Sequence, residues 1–337
     1  MVGVLLVMLI LMLVVSFRND QQFSSIFHVF PTGFAICAAQ RFASFPVTHV
    51  WRCLELTFWL SVGGIVSALV VYWGQPELLG NLIPGSSTNG LPSYLIIPQI
   101  AFSVVVFLER KRLPLLSATA TFLVVVAGVG CGSITVALLI VLVSGAVHVR
   151  ALLLDRRGGV DVRYLFAIAG TALLGVAYVL LETQSLVTWF SQTKWAWGPM
   201  DPPRAHMVRD YLARLDVFSI LVGADYAGTA IDEFYGGNPH NSYIRIRPHS
   251  FFGLPGVLLV LISPAMIFLS RREVFSRIVV GVLVLLALVR AITEPLFFPT
   301  ALVFLFSVFF IVLEACANSS KSCVRSPDVS LSAIKTH

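Results

Sequence analysis

The sequence predicts an all-α fold, a polytopic transmembrane helical bundle of about ten spans with one long extracytoplasmic loop that contains short helices. Of the 337 residues, 57% are hydrophobic and only 12% are charged, and the mean hydropathy is +0.88. So few charges cannot cover a soluble globule of this size. Apolar runs of roughly 17 to 20 residues recur, the length that a helix needs to cross about 30 Å of hydrocarbon. The runs lack the strict alternation of a membrane β-barrel.

The candidate spans follow the apolar runs in order. They occupy residues 2–17, 23–39, 54–73, 94–108, 113–130, 133–149, 164–181, 251–270, 276–292 and 297–315. The first has no basic segment before it and no small-residue cleavage site after it, so we interpret it as a retained span and not a signal peptide. The second contains His28 and Pro31 and is either a kinked span or a helix on the membrane surface. The chain thus divides into transmembrane helices at 1–181, a long loop at 182–250, transmembrane helices at 251–317 and a polar tail at 318–337.

The basic residues between the spans predict the orientation. One set of loops and ends holds Arg41, Arg52, Arg110, Lys111, Arg112, Arg150, Arg156, Arg157, Arg163, Arg271, Arg272, Arg277, Lys321, Arg325 and Lys335. The short loops of the other set hold only Arg18 and Arg290. Because Lys and Arg concentrate on the cytoplasmic side of membrane proteins, both termini are predicted to be cytoplasmic and the long loop to lie outside.

The net charge of +6 and the isoelectric point near 9.2 do not indicate nucleic-acid binding, because the basic residues lie between spans, where they orient helices. The five cysteines are scattered and form no CxxC pair, so neither a metal site nor a disulfide framework is predicted. No glycine-rich nucleotide loop is present, which argues against a nucleotide-activated donor.

The long loop contains a predicted helix that starts at Asp201-Pro202-Pro203, since Asp can cap free amides and proline is tolerated in the first turn. Apolar residues then recur at helical spacing, namely Met207, Val208, Tyr211, Leu212, Leu215 and Phe218. Arg204 falls on the side of this stripe and in the first turn, where the helix dipole disfavours a cation. Two interpretations remain open, that Arg204 holds an anion beside the free amides or that it extends to lipid phosphate.

Further along the loop, His240 follows the turn sequence Gly236-Gly237-Asn238-Pro239 and precedes an apolar span. With an ordinary pKa near 6.5, a histidine at the water boundary can accept a proton from a sugar hydroxyl at neutral pH. A single loop histidine is more often an ordinary surface residue, so His240 alone is a weak indication of catalysis.

The segment from Arg204 to Gly223, followed by His240-Asn241-Ser242-Tyr243 and by Gly253-Leu254-Pro255-Gly256 at the start of a span, resembles the signature loop of the O-antigen ligase and O-antigen polymerase superfamily. The resemblance covers roughly residues 164–270. It implies a bacterial inner-membrane enzyme with a periplasmic loop, an inverting and metal-independent glycosyltransferase without a cofactor. The implied donor is a polyprenyl-diphosphate-linked glycan, and the implied acceptor is a growing glycan or a lipid A core.

The resemblance also implies roles for individual residues. His240 would be the general base, and Arg204 and Arg209 would neutralise the departing diphosphate, for which the planar guanidinium offers paired donors. Asn241, Arg245, Arg247 and Asp225 are the candidate substrate-binding residues. Polymerase and ligase share this pattern, so the sequence does not separate them.

The chain departs from the family pattern in three places. Gly132-Ser133-Ile134-Thr135 lacks the arginine of the family's Gly-Ser-Arg-Gly run, the stretch after His240 is about two residues longer than usual, and about ten spans are fewer than the family's dozen or so. Two alternatives therefore stay open: a transporter or flippase of lipid-linked sugar, and an inactive truncated relative. A transporter would be expected to carry ionisable residues or broken helices within its spans.

Overall fold

A computed structural model of the chain describes residues 22–72, 90–129, 133–154, 202–214, 217, 228–235, 241–242, 273–294, 296 and 302–323. All regular structure in these ranges is helical. The helices are α1 (Gln22–Ala43), α2 (Val47–Val71), α3 (Ser93–Arg110), α4 (Leu115–Val124), α5 (Ile134–Leu154), α6 (Pro202–Ala213), α7 (Ala230–Tyr235), α8 (Val274–Thr293) and α9 (Leu302–Cys323). A π-helical turn, Val125–Val129, extends α4.

The described part confirms a helical membrane protein at the coarse level. Four helices are long and apolar enough to cross a membrane: α2, α3, α8 and the Ile134–Ala151 part of α5. Shorter apolar helices occupy Leu115–Ala127 and Leu302–Ala315. The predicted spans at 2–17, 164–181 and 251–270 lie outside the described residues, so the number of ten stays a prediction.

Helix α3 is the centre of the bundle. Nearly every residue from Ser93 to Phe107 is buried, although the helix is less apolar than the other three helices of span length. It packs against α2, α8 and α9, while α1 packs mainly along α9, where the rings of Phe42 and Phe304 lie 5.7 Å apart. By contrast, α2 leaves Leu56, Leu60 and Val70 exposed. An apolar exposed face on a long helix fits contact with lipid.

Helix α1 continues through Pro31 to Ala43, so the proline does not end it. It is not among the helices that meet the length and hydropathy criteria for a span, and the choice between a kinked span and a surface helix stays open. At the other end of the chain, α9 continues beyond Asn318, where the sequence predicts the start of the polar tail, and ends at Cys323.

Basic side chains gather at one end of the bundle. The Arg110 guanidinium lies over the Trp51 ring, Lys111 Nζ donates to Ser276 Oγ, and Arg150 lies over Phe275. These contacts bring together the start of α2, the end of α3, the end of α5 and the start of α8. We call this the basic end, formed by Arg41, Arg52, Arg110, Lys111, Arg112, Arg150 and Arg277. The grouping fits the charge asymmetry of the predicted loops, although it does not tell which side of a membrane the end faces.

Candidate functional site

The end of the bundle opposite the basic end contains a buried arginine that the sequence analysis assigned to a short loop. This is a correction: Arg290 lies inside α8, one turn before its end, with 2% of its surface exposed. Its Nε donates to Ser93 Oγ at 3.2 Å and its Nη1 to Thr293 Oγ1 at 2.8 Å. Its Nη2 lies 3.9 Å from Glu294 Oε1, which is an ion pair too long for a hydrogen bond. Arg290 therefore joins the end of α8 to the start of α3.

Ser242, in the His-Asn-Ser-Tyr run, is fixed to the same end of α8. Its backbone N–H donates to the Ala291 carbonyl at 2.8 Å. Its hydroxyl donates to the Glu294 carbonyl at 2.6 Å and accepts the Leu296 N–H at 2.6 Å. The side chain is fully buried. One serine thus satisfies three backbone groups where the chain leaves α8, and it holds the predicted loop against the bundle.

Of the candidate residues near this point, Asn241 is described and is half-buried. His240, Arg245, Arg247 and Asp225 lie outside the described residues, so their assignments stay predictions. The structure shows how Ser242 is held, a residue for which the sequence analysis assigned no role.

The predicted loop helix is confirmed as α6, which begins at Pro202 as expected. Met207 and Tyr211 are buried and belong to the same apolar core as residues of α3 and α8, while Val208 is half-buried. Leu212, which the helical spacing places in the same stripe, is 54% exposed. Leu212 follows Tyr211 by one residue, about 100° around the helix, and this rotation carries it off the buried face. Leu215 and Phe218 lie outside the described residues.

The two arginines assigned to α6 occupy different positions on it. Arg204 stands three residues before Met207 in the first turn, a position on the face that Met207 and Tyr211 bury. Arg209 is five residues further on, about 140° around the helix, and it is exposed. A single diphosphate held by both would have to reach around the helix, so the two predicted roles are not equivalent.

A third arginine of the loop, Arg214, is structural. Its Nε lies 3.6 Å from Asp210 Oδ1, and its Nη2 donates to the Gly228 carbonyl. The other Asp210 oxygen accepts the Ala230 N–H at 2.9 Å, at the first residue of α7. Gly228 has a φ of 66°, a conformation that a residue with a side chain seldom adopts. These contacts join α6 to α7 across residues 215–227 and supply a role for one of the loop cations.

The interior of α3 also carries polar groups that the sequence analysis did not single out. Gln99 is fully buried and donates from Nε2 to Ser103 Oγ at 2.9 Å. Within the described ranges, no group of three or more His, Cys, Asp or Glu residues is arranged to hold a metal ion.

Comparison of the chain with protein-family models, with curated proteins and with solved structures gave no match.

Proposed function

We propose that this chain is a bacterial inner-membrane glycosyltransferase that transfers a polyprenyl-diphosphate-linked glycan to a sugar acceptor during surface polysaccharide synthesis, as polymerase or ligase. The observation that supports the proposal is the attachment of Ser242, a member of the His-Asn-Ser-Tyr run, to the end of α8 opposite the basic end. Helix α6, which contains Arg204, packs into the same core. A described residue from each part of the resembled signature, Met207 in one and Ser242 in the other, therefore contacts the helical bundle, which supports the proposal.

In the proposed reaction, an acceptor hydroxyl attacks the anomeric carbon while His240 takes its proton. The bond between that carbon and the diphosphate oxygen breaks with inversion, and the electron pair leaves with the lipid diphosphate. Arg204, beside the free amides of the first turn of α6, stabilises the growing negative charge. Asn241, Arg245, Arg247 and Asp225 contribute to substrate binding, and Arg209 supplements Arg204 from the exposed side of the helix.

We expect His240→Ala and Arg204→Ala each to lower glycan transfer at least about a hundredfold, because a general base and a charge-stabilising donor each contribute about that much. The measurement is complementation of a strain that lacks the activity, with matched membrane levels and glycan length profiled on gels. Arg209→Ala is expected to cost less than Arg204→Ala. His206→Ala is the matched control, since His206 is an exposed histidine of the same helix. Full activity of the His240 and Arg204 variants would refute the mechanism.

The proposed orientation places both termini and the basic end in the cytoplasm and the long loop in the periplasm. In a cysteine-free background, Val217→Cys is expected to react with an impermeant maleimide added to spheroplasts, since Val217 is 81% exposed. A single cysteine restored at Cys53, which is exposed beside Arg52 at the basic end, is expected to react only after permeabilisation. Labelling with the opposite sidedness would invert the proposed topology.

A transporter of lipid-linked sugar is the second candidate, and the described residues favour it more than the sequence did. Arg290 and Glu294 are buried at the end of a span, Gln99 is buried within α3, and a π-helical turn interrupts the regular helix after α4. Ionisable residues and irregular helices within spans are typical of transporters. Purified protein in detergent separates the two, because a transferase forms glycosidic bonds from added donor and acceptor there, whereas a transporter without a membrane forms none.

A further inference from the structure

Hydrogen bonds join α3 to α8 at both ends of this helix pair. At the basic end, Lys111 Nζ donates to Ser276 Oγ at 3.1 Å, and at the end opposite the basic end Arg290 Nε donates to Ser93 Oγ at 3.2 Å. In each case a cation from one helix or its last turn donates to a buried serine hydroxyl at the start of the other. The two helices therefore run antiparallel, and the central helix α3 holds α8 at both ends.

The Arg290 side chain that bonds to α3 also contacts the end of its own helix. Its Nη1 donates to Thr293 Oγ1 at 2.8 Å, and its Nη2 lies 3.9 Å from Glu294 Oε1. One guanidinium thus contacts α3 with one nitrogen and the end of α8 with the other two. The last carbonyl groups of a helix have no partners within the helix, and a helix end frays unless other contacts hold it. Arg290 supplies such contacts from inside the protein, where it is buried.

Ser242 takes its hydrogen-bond partners from the same end of α8. Its N–H donates to the Ala291 carbonyl. Its hydroxyl donates to the Glu294 carbonyl and accepts from the Leu296 N–H. These partners are backbone groups of residues 291–296, and Arg290 contacts the side chains of residues 293 and 294 among them. The positions of the groups that hold Ser242 therefore depend on the contacts that hold the end of α8.

We propose that Arg290 is a positioning residue for the candidate site. Through its bond to Ser93 it holds the end of α8, and through that end it sets the position of Ser242 relative to α3. The inference rests on the proposed function for its catalytic consequence alone, since Ser242 follows His240, the proposed general base, by two residues. A shift of the end of α8 would move this base relative to the acceptor hydroxyl, and a general base acts only within hydrogen-bond reach of the proton that it takes.

The test compares Ser93→Ala with Ser276→Ala in the purified full-length chain. Each variant removes a buried hydroxyl that accepts from a cation across the same helix pair, so the chemical change is the same and only the end of the pair differs. Hydrogen exchange mass spectrometry follows a peptide that contains residue 296. Ser93→Ala is expected to speed exchange of the Leu296 amide about tenfold, because a hydrogen bond from a charged donor is lost. Ser276→Ala is expected to leave that rate within about twofold, since exchange at a helix end proceeds by local opening.

A double variant separates positioning from a general loss of stability. If Arg290 acts through the attachment of Ser242, the Leu296 amide in Ser93→Ala/Ser242→Ala should exchange no more than about twofold faster than in Ser242→Ala alone, whereas independent effects multiply. Multiplied rates, or equal rates in Ser93→Ala and Ser276→Ala, would overturn the proposal. Arg290→Lys keeps a positive charge but replaces three nitrogens with one, so it should also speed this exchange, and it provides the test if Ser93→Ala does not fold. An unchanged rate in Arg290→Lys would likewise overturn the proposal.

The catalytic consequence has its own measurement, glycan transfer by the purified protein from added lipid-linked donor to acceptor. Ser93→Ala is expected to lower kcat about tenfold through misplacement of the base and to leave KM for the donor within about twofold. The KM should persist because Arg204, the residue proposed to face the diphosphate, belongs to α6 and not to α8. Ser276→Ala should change neither constant, and an equal fall of kcat in both variants would overturn the positioning role. If the wild type transfers no glycan, the proposed function fails, while the exchange rates still decide whether Arg290 positions Ser242.

Discussion

Replacing Arg290 with leucine is expected to lower the free energy of unfolding by about 3–5 kcal/mol, the usual cost of removing one partner of a buried ion pair. The guanidinium is 2% exposed and contacts groups on both α3 and α8. Its loss removes the Arg290 cation from beside the buried Glu294 carboxylate and removes the hydrogen bond that joins the end of α8 to Ser93 at the start of α3. Reversible unfolding in mixed micelles measures the change.

Two further variants give the prediction its controls. Glu294→Gln added to Arg290→Leu is expected to recover a large part of the loss, because it also removes the buried negative charge that Arg290 faces. Arg150→Leu, which breaks the exposed pair with Glu273 and the contact with the Phe275 ring, is expected to cost less than about 2 kcal/mol, since both charged side chains are at least one-third exposed, solvent screens the pair, and an exposed cation–π contact is worth about 0.5–1 kcal/mol. An Arg290→Leu variant as stable as Arg150→Leu would show that the buried cluster does not stabilise the bundle.

Local sequence predicted much of this fold because span helices are determined by length and hydropathy, which are local properties. Predicted spans at 54–73, 94–108, 133–149 and 276–292 correspond to α2, α3, α5 and α8. The boundaries differ by several residues, most at α2, which begins at Val47 because Pro46 starts the helix before the apolar run. Arg52 lies in this added stretch, and its charge separates the stretch from the apolar run that predicted the span.

Arg290 shows why hydropathy alone did not predict the structure at the end of the bundle opposite the basic end. A charged residue near the end of an apolar run is usually assigned to the boundary, and the sequence offers no sign of its partners. Ser93 precedes it by 197 residues, and only the packing of α3 against α8 brings the two together. A buried arginine in a span is expected only where polar partners surround it, and those partners are a property of the tertiary structure.

The sequence predicted one part of the candidate site, helix α6, but not the role of Ser242. Helix α6 follows from its start signal and its spacing, so Pro202, Met207 and Tyr211 were predicted correctly. The role of Ser242 could not be predicted, because its partners are carbonyl and amide groups of residues 291–296, which carry no side-chain signature. The residue types in the His-Asn-Ser-Tyr run favoured chemistry at His240 and Asn241, whereas it is Ser242 that makes the hydrogen bonds to the end of α8.

Replacing Ser242 with alanine is expected to lower the free energy of unfolding by about 1–2 kcal/mol. The change removes a hydroxyl that donates to the Glu294 carbonyl and accepts from the Leu296 N–H, both at 2.6 Å. The Leu296 N–H also donates to the Glu294 carbonyl at 2.9 Å, so the cost is that of two lost hydrogen bonds, each worth about 0.5–1.5 kcal/mol, and not that of two groups left without a partner. The Leu296 amide is also expected to exchange its hydrogen faster, which exchange mass spectrometry of a peptide containing residue 296 detects.

Ser144→Ala is the matched control for this prediction. Ser144 is as fully buried as Ser242, but its hydroxyl has no hydrogen-bond partner among the described residues, so its removal should cost less than about 0.5 kcal/mol or stabilise the protein slightly. Under the proposed function, Ser242→Ala should also lower glycan transfer at matched membrane levels, because the loop beside His240 loses its attachment to α8, while Ser144→Ala should leave transfer unchanged. If the two serine variants have the same stability and the same exchange rates, Ser242 does not fix the loop. If they differ in stability but not in glycan transfer, the attachment of Ser242 to α8 is structural only, and it does not support a catalytic role for the His-Asn-Ser-Tyr run.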